Sequence, residues 1–118
     1  MPDLKQISLP YEVRECAERM VETFHFSEII DAVKFCIAYA IKNFQTDIKD
    51  VRVDETQPRG LDYSTSSFND PEFSAIIDVL FPEEEKYRFI KKAAILGARK
   101  IKVRMDNNSS LDEIDELM

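Results

Sequence analysis

Few residues in this chain have the type and spacing that catalysis needs. Its one histidine, His25, lies between Phe24 and Phe26, a setting more typical of a turn or a core position than of a general base. The sequence contains no G-x-S-x-G motif, Walker loop, G-x-G-x-x-G fingerprint or H-E-x-x-H pair. We therefore expect neither enzymatic activity nor a bound cofactor.

The two cysteines, Cys16 and Cys36, both fall on apolar faces of predicted helices, where cysteine usually acts as a small hydrophobic residue. A redox or metal role is the alternative. With one histidine and no C-x-x-C pair, zinc would need a carboxylate-rich site or ligands from a second chain. The sequence therefore predicts no metal site.

The charge of the chain is unevenly distributed. The formal net charge is −7, yet residues 86–104 hold 8 basic and no acidic side chains. Such a segment could bind the phosphates of double-stranded DNA, with Lys91 and Lys92 as contacts. Alternatively, its cations complement the C-terminal end of a helix dipole and face the chain's own acidic tail, residues 106–118.

The N-terminal segment, residues 4–9, alternates in the manner of a short strand. Leu4, Gln6 and Ser8 would lie on one face, and Lys5, Ile7 and Leu9 on the other. A strand this short is unstable alone, and no second convincing strand is found in the sequence. We therefore expect it to pair with the same segment of another subunit.

Two helices are predicted to follow. Residues 11–24 carry an apolar stripe from Val13 to Phe24, and residues 28–44, capped by Ser27, are apolar nearly all round. Because a small chain has little else to cover the second helix, we expect a homodimer. Its predicted core comprises Ile7, Leu9, Ile30, Val33, Phe35, Ile37 and Ile41.

The expected fold is mainly α, with one N-terminal strand paired across a homodimer and a C-terminal helical hairpin. Residues 1–45 form the dimerisation region, and 46–69 a connecting loop long enough to contain a short hidden element. Residues 70–105 form the hairpin of two helices (70–81 and 83–103), followed by the acidic tail. No membrane span or signal peptide is evident, which favours a cytoplasmic location.

Residues 4–44 resemble the ribbon-helix-helix proteins of the Arc and MetJ type. The resemblance rests on Gln6-Ile7-Ser8-Leu9-Pro10, on the stripe from Val13 to Phe24 and on the segment from Ser27 to Val33. It implies a β-ribbon in the major groove of DNA, with Leu4, Gln6 and Ser8 outward and Gln6 reading an adenine. It also implies that backbone amides around Ser27 and Glu28 hold a phosphate.

Two functions are therefore open. The first is a dimeric DNA-binding protein, a transcriptional regulator or antitoxin-like protein, with residues 70–118 available to a protein partner. The alternative is a non-catalytic assembly or adaptor subunit that uses the ribbon-helix-helix region only to dimerise. The 7 acidic against 5 basic residues in the segment 1–44 favour the alternative, since DNA-binding arms are usually basic.

Overall fold

The computed structural model describes residues 4–53, 56–71, 75, 79 and 86–107. These residues are mainly helical, as predicted, with one small antiparallel sheet of two strands. The elements in chain order are β1 (Gln6–Pro10), α1 (Tyr11–Phe24), α2 (Ile29–Ile48), β2 (Arg59–Ser64), a 3₁₀ helix (Thr65–Phe68) and α3 (Lys86–Asp106).

Helix α1 has the predicted bounds and the predicted buried face. Val13, Cys16, Ala17 and Met20 are all buried, as their spacing along one face of a helix requires. The helix ends at His25, which has a left-handed conformation (φ 62°, ψ 37°) and donates its backbone N–H to the Val21 carbonyl. The turn role predicted for His25 is confirmed.

Helix α2 begins one residue later than the sequence indicated and extends further. Glu28, not Ser27, is the N-cap, and its side chain and that of Asp31 form a reciprocal capping box. The prediction of Ser27 as the cap was wrong. The helix continues to Ile48 across a kink at Phe44 (φ −136°, ψ 30°), and Ile48 is fully buried.

The chain itself covers the apolar surface of α2. Helix α3 packs against it, and Gly97 makes the approach possible, because a Cβ at this position would lie 1.9 Å from the Cys36 carbonyl oxygen. The apolar character of α2 therefore does not by itself require a second subunit. A long apolar helix needs a cover, but the sequence does not say whether the same chain supplies it.

The residues assigned to a dimer core are buried to different degrees within one chain. Ile30 and Phe35 are half-buried. The others are almost completely shielded from solvent: Ile7, Leu9, Val33, Ile37 and Ile41. Their burial needs no partner, and dimerisation stays a prediction.

A second strand, which the sequence analysis missed, pairs with β1. Strand β2 lies antiparallel to β1, with Ile7 opposite Tyr63 and Ser8 opposite Asp62. It lies inside the predicted loop 46–69, so the expectation of a hidden element there is confirmed. Gly60 allows the close crossing, since a Cβ there would lie 2.7 Å from the Pro10 carbonyl oxygen.

The predicted hairpin is described only in part. Pro71, Ala75 and Val79 are helical and exposed, while the expected stripe of that helix (Phe73, Ile76, Ile77, Leu80 and Phe81) lies outside the described residues. Helix α3 continues to Asp106, three residues beyond the predicted end. Residues 108–118 of the acidic tail also lie outside the described part. None of the described helices has the length and apolar character needed to cross a membrane.

Candidate nucleic-acid interface

The ribbon formed by β1 and β2 has one apolar and one polar face. Ile7 and Leu9 are buried, and their partners across the sheet are Tyr63 and Leu61. The alternate positions form the outer face, which comprises Gln6, Ser8, Asp62 and Ser64. The alternation predicted for residues 4–9 is thereby confirmed at Ile7 and Leu9.

A groove of about 320 Å³ lies beside β1. Two cations, Arg59 and Lys91, and two amide side chains, Gln6 and Gln57, provide most of its polar chemistry. The remaining described residues along it are Leu4, Ser8, Leu9, Pro10, Val53 and Pro58. Because none of the described lining residues is acidic, an anion would meet positive charge and hydrogen-bond donors there.

Four of the seven residues predicted to contact DNA meet at this groove. Leu4, Gln6 and Ser8 come from β1 and the residues before it, and Lys91 from a helix more than 80 positions further along the chain. Of these, Ser8 already has a partner, because its hydroxyl donates a 2.6 Å hydrogen bond to the Asp62 carboxylate. Gln6 and Lys91 are therefore the main candidates for a ligand contact.

Lys92 is placed differently from its neighbour Lys91. Its ammonium group donates to the backbone carbonyl of Lys49 at 3.2 Å, which ties α3 to the end of α2. It lines a separate, smaller depression together with Lys49, Arg88 and Phe89. Lys92 thus makes a contact between α3 and the end of α2, and it does not line the groove beside β1.

The N-terminus of α2 is occupied by the chain's own carboxylates. The backbone N–H of Glu28 donates to the Asp31 carboxylate at 3.1 Å, and the Glu28 side chain accepts from the N–H of Asp31. A phosphate would have to displace or approach two negative groups there. These carboxylates would repel a phosphate, so they disfavour the phosphate binding predicted at Ser27 and Glu28.

Most of the positive charge on the C-terminal half of α3 is used within the chain. Arg99 donates to both oxygens of the Glu12 carboxylate, from Nε at 2.6 Å and from Nη2 at 3.3 Å. Burial by itself would raise the pKa of Glu12. The hydrogen bonds from Arg99 and Gln57, together with the charges of Arg99 and Lys102, nevertheless hold that pKa below its usual value.

Two further cations of α3 lie against aromatic side chains of α2. Arg104 donates to the Tyr39 hydroxyl at 3.0 Å, and Lys100 lies 4.8 Å from the centre of the Phe44 ring. Asp106, at the end of α3, accepts from Arg19 of α1 at 2.9 Å. These contacts support the structural interpretation of the basic segment for its second half.

The two cysteines lie together in the core with a methionine. Cys16, Cys36 and Met20 are each 2% exposed or less. A hydrogen bond from the Cys36 thiol, with help from the charges of Arg19 and Lys102, lowers the pKa of Cys16, whereas that same bond and burial raise the pKa of Cys36. Among the described residues, no three His, Cys, Asp or Glu side chains cluster in a way that could hold a metal.

Arg59 and Gln57 are groove residues that the sequence analysis did not identify. They lie in the segment interpreted as a loop because of its turn-forming residues, among them aspartates, serines and the sequence Pro58-Arg59-Gly60. The signal was the short alternation of Leu61, Asp62 and Tyr63, which is the pattern of a half-buried strand. Recognising β2 would have placed Arg59 beside β1.

Comparison with known protein families, curated proteins and solved structures finds no significant match for this chain. The resemblance to ribbon-helix-helix proteins therefore stays a prediction.

Proposed function

We propose that the chain is a non-catalytic DNA-binding protein that inserts its β1–β2 ribbon into the major groove. Lys91 and Arg59 would then contact the phosphates beside it. One observation carries the proposal: residues distant in sequence, Gln6 of β1 and Lys91 of α3, line the same groove together with Arg59. This combines a base-reading side chain with phosphate-binding cations on one surface.

The ribbon has the shape that this mode of binding requires. The major groove admits a two-stranded antiparallel ribbon, and here both strands come from the same chain. The proposal thus differs from the usual ribbon-helix-helix arrangement, in which each subunit contributes one strand. A homodimer would place two ribbons on one duplex but is not needed to form either of them.

The outer face of the ribbon offers specific base contacts. Gln6 is exposed, and an amide side chain can bind an adenine edge through two hydrogen bonds. Asp62, fixed by the hydroxyl of Ser8, can accept a hydrogen bond from the amino group of a cytosine. The negative charge of Asp62 repels phosphates. The phosphate contacts are therefore assigned to the cations beside the ribbon, Lys91 and Arg59.

Local positive charge is essential because the whole chain carries −7. Polyanionic DNA repels an acidic protein unless cations are concentrated at the contact surface. Lys91 and Arg59 provide that concentration at the groove, whereas Arg99 and Arg104 are engaged with Glu12 and Tyr39. DNA affinity is therefore expected to be modest, with a slope of log affinity against log salt of about −2 for the two cations.

The adaptor function is the second candidate, and it also has structural support. Arg99 and Arg19 hold α1 and α3 together, which is the behaviour of a basic segment used for folding. This function requires no DNA affinity at any salt concentration.

Fluorescence anisotropy with labelled random and genomic duplexes at about 50 mM salt separates the two functions. We expect binding by the full chain, and Gln6→Ala should reduce discrimination between preferred and random sites by about 1–3 kcal/mol. Gln45→Ala is the matched control, since it removes an exposed glutamine that does not line the groove, and it should leave this discrimination unchanged. If the full chain fails to bind any duplex at this salt, the DNA-binding function is wrong and the adaptor function is favoured.

A further inference from the structure

We propose that Cys16, Met20 and Cys36 form a binding site for one soft monovalent metal cation, of which Cu(I) is the type. The site would lie in the core between α1 and α2, apart from the ribbon and its groove. It is therefore independent of the proposed DNA binding and can be tested without DNA.

Met20 places its sulfur beside both thiols. Its Sδ atom lies 3.6 Å from Cys36 Sγ and 3.9 Å from Cys16 Sγ. Two sulfurs that bind one metal through bonds of roughly 2.3 Å lie at similar separations when the site is trigonal. Each thiol could therefore share a metal with the thioether with little displacement of Met20.

The backbone holds the three donors in place. Cys16 and Met20 are four residues apart on α1, so they share one face of that helix, and Cys36 comes from the facing side of α2. Gly97 of α3 packs directly onto the backbone of Cys36. The donors thus belong to rigid elements, which favours a preformed site.

The donor set selects a soft cation that accepts three ligands. Thiolate and thioether sulfur prefer Cu(I), whereas Ca²⁺ and Mg²⁺ require oxygen. Zinc also binds thiolates, but its protein sites almost always have four donors. The described residues contain no further histidine, cysteine or carboxylate that completes such a set.

Binding would exchange two protons for one metal ion. Both thiols lose their protons to solvent, so that Cu(I) with two thiolates and one neutral thioether has a net charge of −1. The positive charges of Arg19 and Lys102 favour the Cys16 thiolate, whereas the negative charge of Asp106, which pairs with Arg19, acts against it. No electron transfer is involved.

A cavity between α1 and α3 lies beside the site. It measures about 330 Å³ and is lined by Glu12, Ala98, Arg99, Lys102, Val103 and Asp106. The Ala98 carbonyl accepts the thiol hydrogen of Cys16 at 3.5 Å, so Ala98 contacts both the cavity and the site.

The experiment is an anaerobic titration of the full chain with Cu(I), in competition with the chromophoric chelator bathocuproine disulfonate. We expect the chain to retain one equivalent, and X-ray absorption of the complex to show three sulfur neighbours and no nitrogen or oxygen. If the chelator takes all of the copper, or if the metal has light-atom ligands, the proposal is wrong.

The variants test each donor separately. Met20→Leu keeps the core volume and both cysteines, and it should weaken Cu(I) binding by at least the roughly 10–100-fold typical of losing a supporting partner. Cys16→Ala and Cys36→Ala should remove retention altogether, with circular dichroism showing that each variant is folded. Met105→Leu, which replaces a buried methionine of α3, is the matched control and should bind as the parent does. Equal affinity of Met20→Leu and the parent would overturn the three-sulfur site.

Discussion

The two halves of α3 carry similar positive charge and use it in different ways. In the first half, Lys91 lines the groove beside β1 together with Arg59. In the second half, Arg99 binds Glu12 of α1, and Arg104 binds the Tyr39 hydroxyl of α2. A basic segment that is uniform in sequence is thus divided by its surroundings into a surface available for a ligand and a set of internal contacts.

The difference shows that the neighbours of a cation determine its role. The second half of α3 lies along α1, which brings carboxylates such as Glu12 within hydrogen-bond distance. The described residues that line the groove with Lys91 are apolar, amide, hydroxyl or basic, so no carboxylate among them neutralises it. A net charge computed over a segment therefore overstates the charge that a ligand would meet.

The largest expected effect tests the packing that both halves depend on. Gly97→Ala places a Cβ 1.9 Å from the Cys36 carbonyl oxygen, so α3 must move away from α2. We expect the free energy of unfolding to fall by about 2 kcal/mol or more in urea denaturation. Val103→Ala, at an exposed position of the same helix, is the control and should change stability by less than about 0.5 kcal/mol. A stable Gly97→Ala protein would contradict the close packing.

The second prediction separates the two halves directly, and it depends on the proposed DNA binding. Lys91→Ala should weaken binding to all duplexes and reduce the slope of log affinity against log salt by about 1, with unchanged stability. Arg99→Ala should leave the salt slope unchanged and lower stability instead, because Glu12 loses its partner. Anisotropy titrations over a salt series and urea denaturation measure the two effects. Identical behaviour of the two variants would remove the distinction between the halves.

The third prediction concerns the contact between Arg104 and Tyr39. Tyr39 is 1% exposed, and its hydroxyl accepts the hydrogen bond from Arg104. Tyr39→Phe should reduce the free energy of unfolding by about 1 kcal/mol, the usual net value of such a bond. Tyr11→Phe, which alters an exposed tyrosine, should have no measurable effect. If Tyr39→Phe and the parent have the same free energy of unfolding, this hydrogen bond does not stabilise the packing of α3 on α2.

The smallest expected effect is a pH dependence at the ion pair of Glu12 and Arg99. The pKa of Glu12 is lower in the folded chain than in the unfolded chain, so the pair stabilises the fold above the unfolded value of 4.5. This contribution disappears as the pH falls through the lowered folded pKa. Because the pair is partly exposed, its value is less than about 1 kcal/mol. The stability difference between the parent and Glu12→Gln should therefore be small at pH 7 and vanish at strongly acidic pH.

The local structure near the N-terminus could be predicted from the sequence because local rules determine it. The apolar spacing from Val13 to Met20 gave the bounds and buried face of α1, and the alternation of Ile7 and Leu9 gave the inner face of β1. The N-cap of α2 was not predicted correctly from these local rules. Glu28 rather than Ser27 is the N-cap, because Glu28 forms a capping box with Asp31.

The candidate groove could be predicted only in part. Gln6 and Lys91 were identified by residue type, position in the strand and charge. Their position at one groove was not predicted, because it depends on how α3 packs beside β1. Arg59 was missed because its strand, β2, is short and lies among turn-forming residues. Alternation can indicate a strand, as it does at Leu61, Asp62 and Tyr63, but nothing within either segment specifies which other segment it pairs with.

The sequence by itself determined which surfaces had to be buried, and the tertiary structure decided what buries them. The apolar faces of β1 and α2 required partners, since exposing them to water is unfavourable. Nothing local specifies whether such a partner is a second subunit or a distant segment of the same chain. Here β2 pairs with β1, and Gly97 lets α3 cover α2, because a chain whose own segments fit closely can bury these faces without the cost of association.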